Sequence, residues 1–115
     1  MSRLIDFSSL QELLFGEPKY IKEFAEAAVD SFSEFGEHYS LYLPARNEDS
    51  LRKAGHKIKP VAQMLGLQQI IDEYEQAKVL LANQASDADL QASVQVIQNI
   101  IEKVLLDLRD IIEEQ

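Results

Sequence analysis

The chain has 115 residues, a formal net charge of −9 and no cysteine. This length provides one hydrophobic core, so we expect a single domain over residues 1–115. The negative charge argues against a nucleic-acid-binding protein, because attraction to phosphate dominates that kind of binding. The lack of cysteine excludes disulfides and fits a cytoplasmic protein, and the acidic N-terminus has no apolar run long enough for a signal peptide or a membrane span.

Two helices are predicted in the N-terminal part of the chain. Ser9 and Glu12 have the spacing of a capping box, which predicts a short helix that ends at Gly16. A second helix is predicted over 18–43, with Pro18 at its first position, where a missing N–H does no harm. Its apolar stripe advances by three and four residues and contains Ile21, Ala25, Ala28, Phe32, Phe35, Tyr39 and Tyr42, with Phe24 beside it.

Two further helices are predicted in the middle of the chain. The third covers 49–65, with Asn47 or Asp49 as its N-terminal cap and Gly66 at its end. The fourth covers 67–82. It is expected to bury Leu67, Ile70, Ile71, Tyr74, Ala77 and Leu81 and to leave Asp72, Glu73, Glu75 and Gln76 in water.

The last helix is predicted over 87–114, because Ser86 and Asp89 imitate a capping box before a long apolar repeat. The heptad-spaced apolar residues are Leu90, Val94, Ile97, Ile101, Val104, Leu108 and Ile111, and the stripe is widened by Ile100, Leu105 and Ile112. A stripe of this width favours packing inside a bundle over an isolated coiled coil. With no strand-like alternation anywhere, the sequence predicts an all-α fold, an antiparallel four-helix bundle with a short extra N-terminal helix.

The third predicted helix carries a histidine on its polar side. At about 100° per residue, its apolar face contains Leu51, Gly55, Ile58, Ala62 and Leu65, whereas His56 points to water. Arg52, Lys59 and Gln63 share that polar face with it. A surface histidine beside cations and an amide can accept a phosphoryl group, because these donors would neutralise the arriving charge. Five of the eleven basic residues lie within 46–59, a cationic patch suited to an acidic partner.

The spacing of His56, Ile58, Lys59 and Gly66 resembles the signature of the histidine-containing phosphotransfer (HPt) domain, His-x-Leu-Lys-Gly followed by a second glycine. The resemblance implies a phosphorelay carrier in which His56 accepts a phosphoryl group from a receiver-domain aspartyl phosphate and passes it to another receiver. Lys59 would then pair with the phosphoryl oxygens. A histidine side chain ordinarily titrates near pH 6.5, so its nucleophilic nitrogen is available at cytoplasmic pH.

The resemblance also implies partners and a docking face. The expected partners are response-regulator receiver domains and a hybrid histidine kinase; Mg²⁺ would belong to the receiver, and this chain would need no cofactor. Because the chain has no glycine-rich phosphate loop, we expect no ATP binding and no autokinase activity. The resemblance implies a phosphocarrier protein and not an enzyme. The docking face is expected to contain Arg52, Gly55 and Gln63 around the histidine, with Gly55 keeping the surface low. Lys78, on the following helix, occupies the position from which family members often hold the ring.

Pro60 replaces the first glycine of the family signature. It cannot donate a hydrogen bond to the carbonyl of His56, so we expect a kink or an unpaired carbonyl there. Two alternatives therefore stay open: a helical adaptor in which His56 is chemically idle, and a degenerate HPt domain that binds receivers without phosphotransfer. A metal site is not expected, because the Glu-x-x-His spacing of carboxylate-bridged metal bundles is absent.

The remaining titratable residues carry no chemical signal of their own. His38 is expected on the surface, and acid pairs such as Asp107 and Asp110 are expected on solvated faces. Since the chain begins at Met1 and ends soon after its last helix, a free-standing carrier is expected rather than part of a hybrid kinase.

Overall fold

The computed structural model of the protein describes residues 3–115, and all regular structure in that range is helical. The helices are α1 (Phe7–Leu13), α2 (Pro18–Tyr42), α3 (Glu48–Met64), α4 (Gln68–Ala82) and α5 (Asp87–Glu114). Helix α2 packs against α3 and α5, and α4 packs against the same two helices. The four long helices therefore surround one core, which confirms the predicted bundle with a short N-terminal helix.

Side-chain caps begin α3 and α5, as the sequence predicts. Asn47 Oδ1 accepts a hydrogen bond from the backbone N–H of Ser50 at 3.2 Å. Ser86 Oγ accepts one from the backbone N–H of Asp89, also at 3.2 Å. Each cap satisfies a backbone donor that has no partner within the first turn of its helix.

Helix α1 starts earlier than the sequence indicated, and its predicted capping box is wrong. The cap is Asp6, whose carboxylate accepts hydrogen bonds from the backbone N–H of Ser9 at 3.1 Å and from its hydroxyl at 2.8 Å. Ser9 therefore donates to a cap instead of acting as one, and the helix begins at Phe7. These hydrogen bonds also lower the pKa of Asp6, the Ser9 hydroxyl contributing most.

The core contains the predicted apolar stripes. All seven heptad residues of α5 are buried, and in α2 the stripe is buried from Ile21 to Tyr39, with Tyr42 partly exposed. In α4 the predicted apolar residues are buried except Leu81, which is half-buried. The helical periods of the sequence therefore place the core almost residue by residue.

Asp107 is a buried carboxylate, which corrects its expected place on a solvated face. It is 1% exposed. Its Oδ2 accepts the backbone N–H of Leu4 at 2.7 Å, and its Oδ1 pairs with Nζ of Lys103 at 2.9 Å. Asp107 thereby links the N-terminal segment to α5, and its buried charge is compensated by the hydrogen bond and the ion pair.

A second polar group inside the bundle links three helices. Ser93 is 3% exposed and donates a hydrogen bond to Glu73 Oε2 at 2.6 Å. Its oxygen lies 2.7 Å from the hydroxyl of Tyr39, and burial raises the pKa of that phenol. Glu73 is therefore half-buried and bonded, whereas the sequence placed it in water.

Candidate functional site

His56 lies in the middle of α3 with its side chain exposed, as the sequence predicts. Helix α3 packs against α2 on one side and α4 on the other, and His56 occupies the crest that faces neither helix. Within residues 3–115 the imidazole has no hydrogen-bond or ion-pair partner. An approaching protein could therefore reach a ring nitrogen directly.

Two of the predicted neighbours of His56 share its exposed crest. Lys59, three residues further along, and Gln63 are both exposed, and neither forms an ion pair or a side-chain hydrogen bond with the described part of the chain. Residues three apart on a helix are surface neighbours, with Cβ atoms about 5–6 Å apart. The Lys59 ammonium is thus available to a negative group that arrives at His56.

Arg52 is on the same face but already has a partner. Its Nε and Nη2 donate to Glu48 Oε1 at 3.0 and 2.8 Å. Pairing with Glu48 raises the pKa of the guanidinium. Because Arg52 must leave or share Glu48 before it binds another anion, its contribution to an incoming phosphoryl group is weaker than that of Lys59.

Gly55 does not belong to the exposed docking face, and the prediction that it keeps the surface low for a partner is wrong. The residue is buried against α4. A Cβ added to it would lie 2.1 Å from Cζ of Tyr74 and 2.5 Å from its hydroxyl oxygen. The missing side chain lets the Tyr74 ring lie directly on the backbone of α3, one residue before His56.

Lys78 does not hold the histidine ring, which corrects the role expected from its position. Its Nζ pairs with Glu75 Oε2 at 2.9 Å and lies 4.8 Å from the centre of the Tyr74 ring. Lys78 lowers the pKa of Glu75 through this hydrogen bond, and the charges of Lys78, Lys59 and Arg52 lower it further. On the α4 side of the crest three cations therefore act on the carboxylate of Glu75, and one of them, Arg52, is also paired with Glu48.

Helix α3 continues through Pro60 without interruption and ends at Met64. Because proline has no N–H, the carbonyl of His56 lacks the donor that normally lies four residues ahead. The position of Pro60 is exposed. The predicted kink stays a prediction, whereas the missing donor follows directly from the residue type.

The α2 side of the crest contains residues that the sequence left without a role. Lys57 Nζ donates to Glu34 Oε1 at 2.8 Å, and Nδ1 of His38 lies 3.9 Å from the same oxygen. The hydrogen bond from Lys57 lowers the pKa of Glu34. His38 and Glu34 are four residues apart on α2, but Lys57 and Glu34 lie on different helices. The sequence gave no reason to pair Lys57 with Glu34, because that pairing depends on how α2 and α3 face each other.

Two adjoining depressions lie between α2 and α3, with volumes of about 200 and 250 Å³. His38, Ala54 and Lys57 line both of them. We call this continuous feature the α2–α3 groove. It is completed by Asp30, Ser31, Glu34, Phe35 and Ile58 in one depression and by Tyr42, Ser50 and Lys53 in the other.

The described residues form neither a metal site nor a membrane span. Among residues 3–115 there is no group of three or more histidine, aspartate or glutamate side chains arranged to hold a metal ion. Over the same range, no helix is both long and apolar enough to cross a membrane.

In comparisons with known proteins, no protein-family model matches the chain, and neither a curated protein nor a solved structure matches it.

Proposed function

We propose that the protein is an HPt-type phosphorelay carrier that accepts a phosphoryl group on His56. The observation that supports this most directly is an exposed imidazole on the crest of α3 in a four-helix bundle, with Lys59 one turn away. Within residues 3–115 neither side chain has a hydrogen-bond or ion-pair partner. A histidine that served packing would be enclosed or hydrogen-bonded. The carrier would act in the cytoplasm, between a hybrid histidine kinase and response-regulator receiver domains.

The transfer requires little from this chain beyond a positioned nucleophile. The lone pair of the unprotonated ring nitrogen attacks phosphorus in line, the N–P bond forms, and the P–O bond to the partner's aspartate breaks. The aspartate leaves as a carboxylate, so no proton has to be removed from the attacking nitrogen. The reverse step, onto a second receiver, uses the same atoms.

Lys59 has the clearest supporting role. Its ammonium can neutralise the oxygens of the phosphoryl group on His56, and among the described residues it has no ion pair to give up. Gln63 can donate from its amide on the same crest. Arg52 would have to be shared with Glu48, which predicts a smaller effect when it is replaced.

The decisive experiment compares wild-type protein, His56→Ala and His38→Ala. His38 is the matched control, because it is the only other histidine and lies on α2. Each protein is mixed with labelled phospho-receiver domains, and the acid and alkali stability of any product is measured. We expect acid-labile, alkali-stable label on wild type and His38→Ala and none on His56→Ala. Lys59→Gln should slow uptake about tenfold, which corresponds to about 1.4 kcal/mol of barrier.

The open alternatives give different results in the same experiment. An adaptor would bind its partner equally well with and without His56 and would take up no label. A degenerate domain would bind receivers without labelling, and Pro60→Gly, which gives residue 60 an N–H, would make it gain uptake. Label on His56→Ala equal to that on wild type would contradict the proposal.

A further inference from the structure

The α2–α3 groove is polarised along its length. One depression is lined by the carboxylates of Asp30 and Glu34. The other is lined by Lys53 and by the hydroxyls of Ser50 and Tyr42, and Lys57 and His38 lie between the two ends. One end of the groove therefore presents donors and positive charge, and the opposite end presents acceptors.

The cationic end lies beside the crest. Lys53 precedes His56 by three residues, so their Cβ atoms are about 5–6 Å apart on the helix surface. Lys53 has no ion-pair partner within residues 3–115 and is exposed. Lys57, one turn further along the same side, is paired with Glu34, so Lys53 is the ammonium in the groove that a new anion could bind without displacing another.

The overall charge of the chain determines what could bind there. A partner that holds Mg²⁺ beside an aspartyl phosphate needs carboxylates at that place, because Mg²⁺ prefers carboxylate and phosphate oxygens. Such a face meets a chain of net charge −9, and like charge over most of the surface repels it. Five of the eleven basic residues lie within 46–59, so this surface offsets the repulsion and favours one orientation of such a partner.

We propose that the Lys53 end of the α2–α3 groove is a second recognition subsite, which takes up a carboxylate side chain of the receiver domain while His56 faces its aspartyl phosphate. This inference rests on the proposed carrier function. It adds a second contact, which would fix the orientation of the receiver domain relative to His56. Ser50 and Tyr42 supply neutral donors to the same carboxylate. The subsite contains no residue assigned to the chemistry itself.

The test compares Lys53→Glu with Lys22→Glu. Both variants change the net charge equally, and Lys22 is an exposed lysine near the start of α2, outside the groove. The affinity of the full chain for a panel of purified, unlabelled receiver domains is measured by titration at low and at moderate salt. We expect Lys53→Glu to weaken binding about tenfold at low salt and less at moderate salt, and Lys22→Glu to weaken it less than twofold.

Glu34→Gln supplies a test in the opposite direction. It removes the carboxylate that holds Lys57, and so makes a second ammonium available in the groove. We expect it to tighten receiver binding about threefold, a gain that a variant with merely disturbed folding would not show. Circular dichroism and thermal melts establish that all three variants keep the helical fold.

The outcomes separate this inference from the carrier function. Equal losses in Lys53→Glu and Lys22→Glu would overturn the subsite, because net charge alone would then explain the binding. Wild-type protein that binds no receiver would overturn it as well. Labelling by phosphoramidate, a small donor that needs no docked partner, tests His56 separately when wild-type protein is compared with His56→Ala, since His38 is present in both. If that labelling fails while Lys53→Glu still weakens receiver binding more than Lys22→Glu does, the subsite is supported and the carrier function is contradicted.

Discussion

Replacement of Gly55 by alanine tests the closest contact beside the proposed site. The added Cβ would lie 2.1 Å from Cζ of Tyr74 and 2.5 Å from both Cε1 and the hydroxyl oxygen. The ring is 5% exposed and carries Lys78 over one face, so it cannot swing freely into solvent. The collision must be relieved by a shift of the ring or of α4.

The net effect is a balance of two terms of opposite sign. Glycine to alanine inside a helix stabilises by about 1 kcal/mol through helix propensity. Forcing an extra carbon into a packed contact costs about 1–3 kcal/mol. We therefore expect Gly55→Ala to lower the free energy of unfolding by about 1 kcal/mol, which for a chain of this size lowers the midpoint of thermal unfolding by about 4 °C.

A double-mutant cycle with Tyr74→Leu isolates the contact, because leucine lacks Cε1, Cζ and the hydroxyl of Tyr74. In that background Gly55→Ala should become stabilising by about 1 kcal/mol, which gives a coupling of about 2 kcal/mol. Urea unfolding followed by circular dichroism measures each corner of the cycle. If Gly55→Ala stabilised both backgrounds equally, the tight approach of α3 and α4 at this point would be refuted.

Two further predictions concern the carboxylates that the structure finds paired. Asp107→Ala should destabilise the fold by about 1–3 kcal/mol in urea unfolding, because the N–H of Leu4 loses its acceptor, whereas Asp110→Ala on the exposed face should stay within about 0.5 kcal/mol. Lys57→Gln should raise the pKa of Glu34 in a carboxyl NMR titration, and the matched Lys22→Gln should leave it low. Because pairing lowers the pKa of Glu34 in the folded state, the ion pair stabilises the fold at pH values above the unfolded-state pKa, and this stabilisation is lost as the pH falls through the folded-state pKa. If the pKa of Glu34 were the same in Lys57→Gln as in the wild type, the pairing would be contradicted.

The elements that local pattern determines were predictable. Helix α5 was predicted over 87–114 and is observed as Asp87–Glu114. Its cap at Ser86 and its heptad stripe both depend on residues within a few positions of one another, so no knowledge of the rest of the fold is needed. The exposed position of His56 follows from the same periodicity, applied to α3.

What the sequence missed depends on contacts between distant residues. Asp107 is buried because it meets the backbone of Leu4, a residue 103 positions away, and the pattern of α5 alone could not show this. Gly55 was placed on both the apolar and the docking faces. A glycine between the core positions of Leu51 and Ile58 is itself a signal of close helix approach, but the sequence does not say which ring fills the space.

The topology of the bundle accounts for the state of His56. Helix α3 packs against both α2 and α4, so side chains on its two flanks meet residues of neighbouring helices. On the α2 flank Lys57 is paired with Glu34, and on the α4 flank Gly55 lies against the ring of Tyr74. A side chain on the crest meets neither neighbour, and His56, which lies there, has no hydrogen-bond or ion-pair partner in the described range 3–115. A partner that approaches this crest of α3 therefore meets the imidazole with Lys59 beside it, and in the proposed function these are the groups that would attack and neutralise a phosphoryl group.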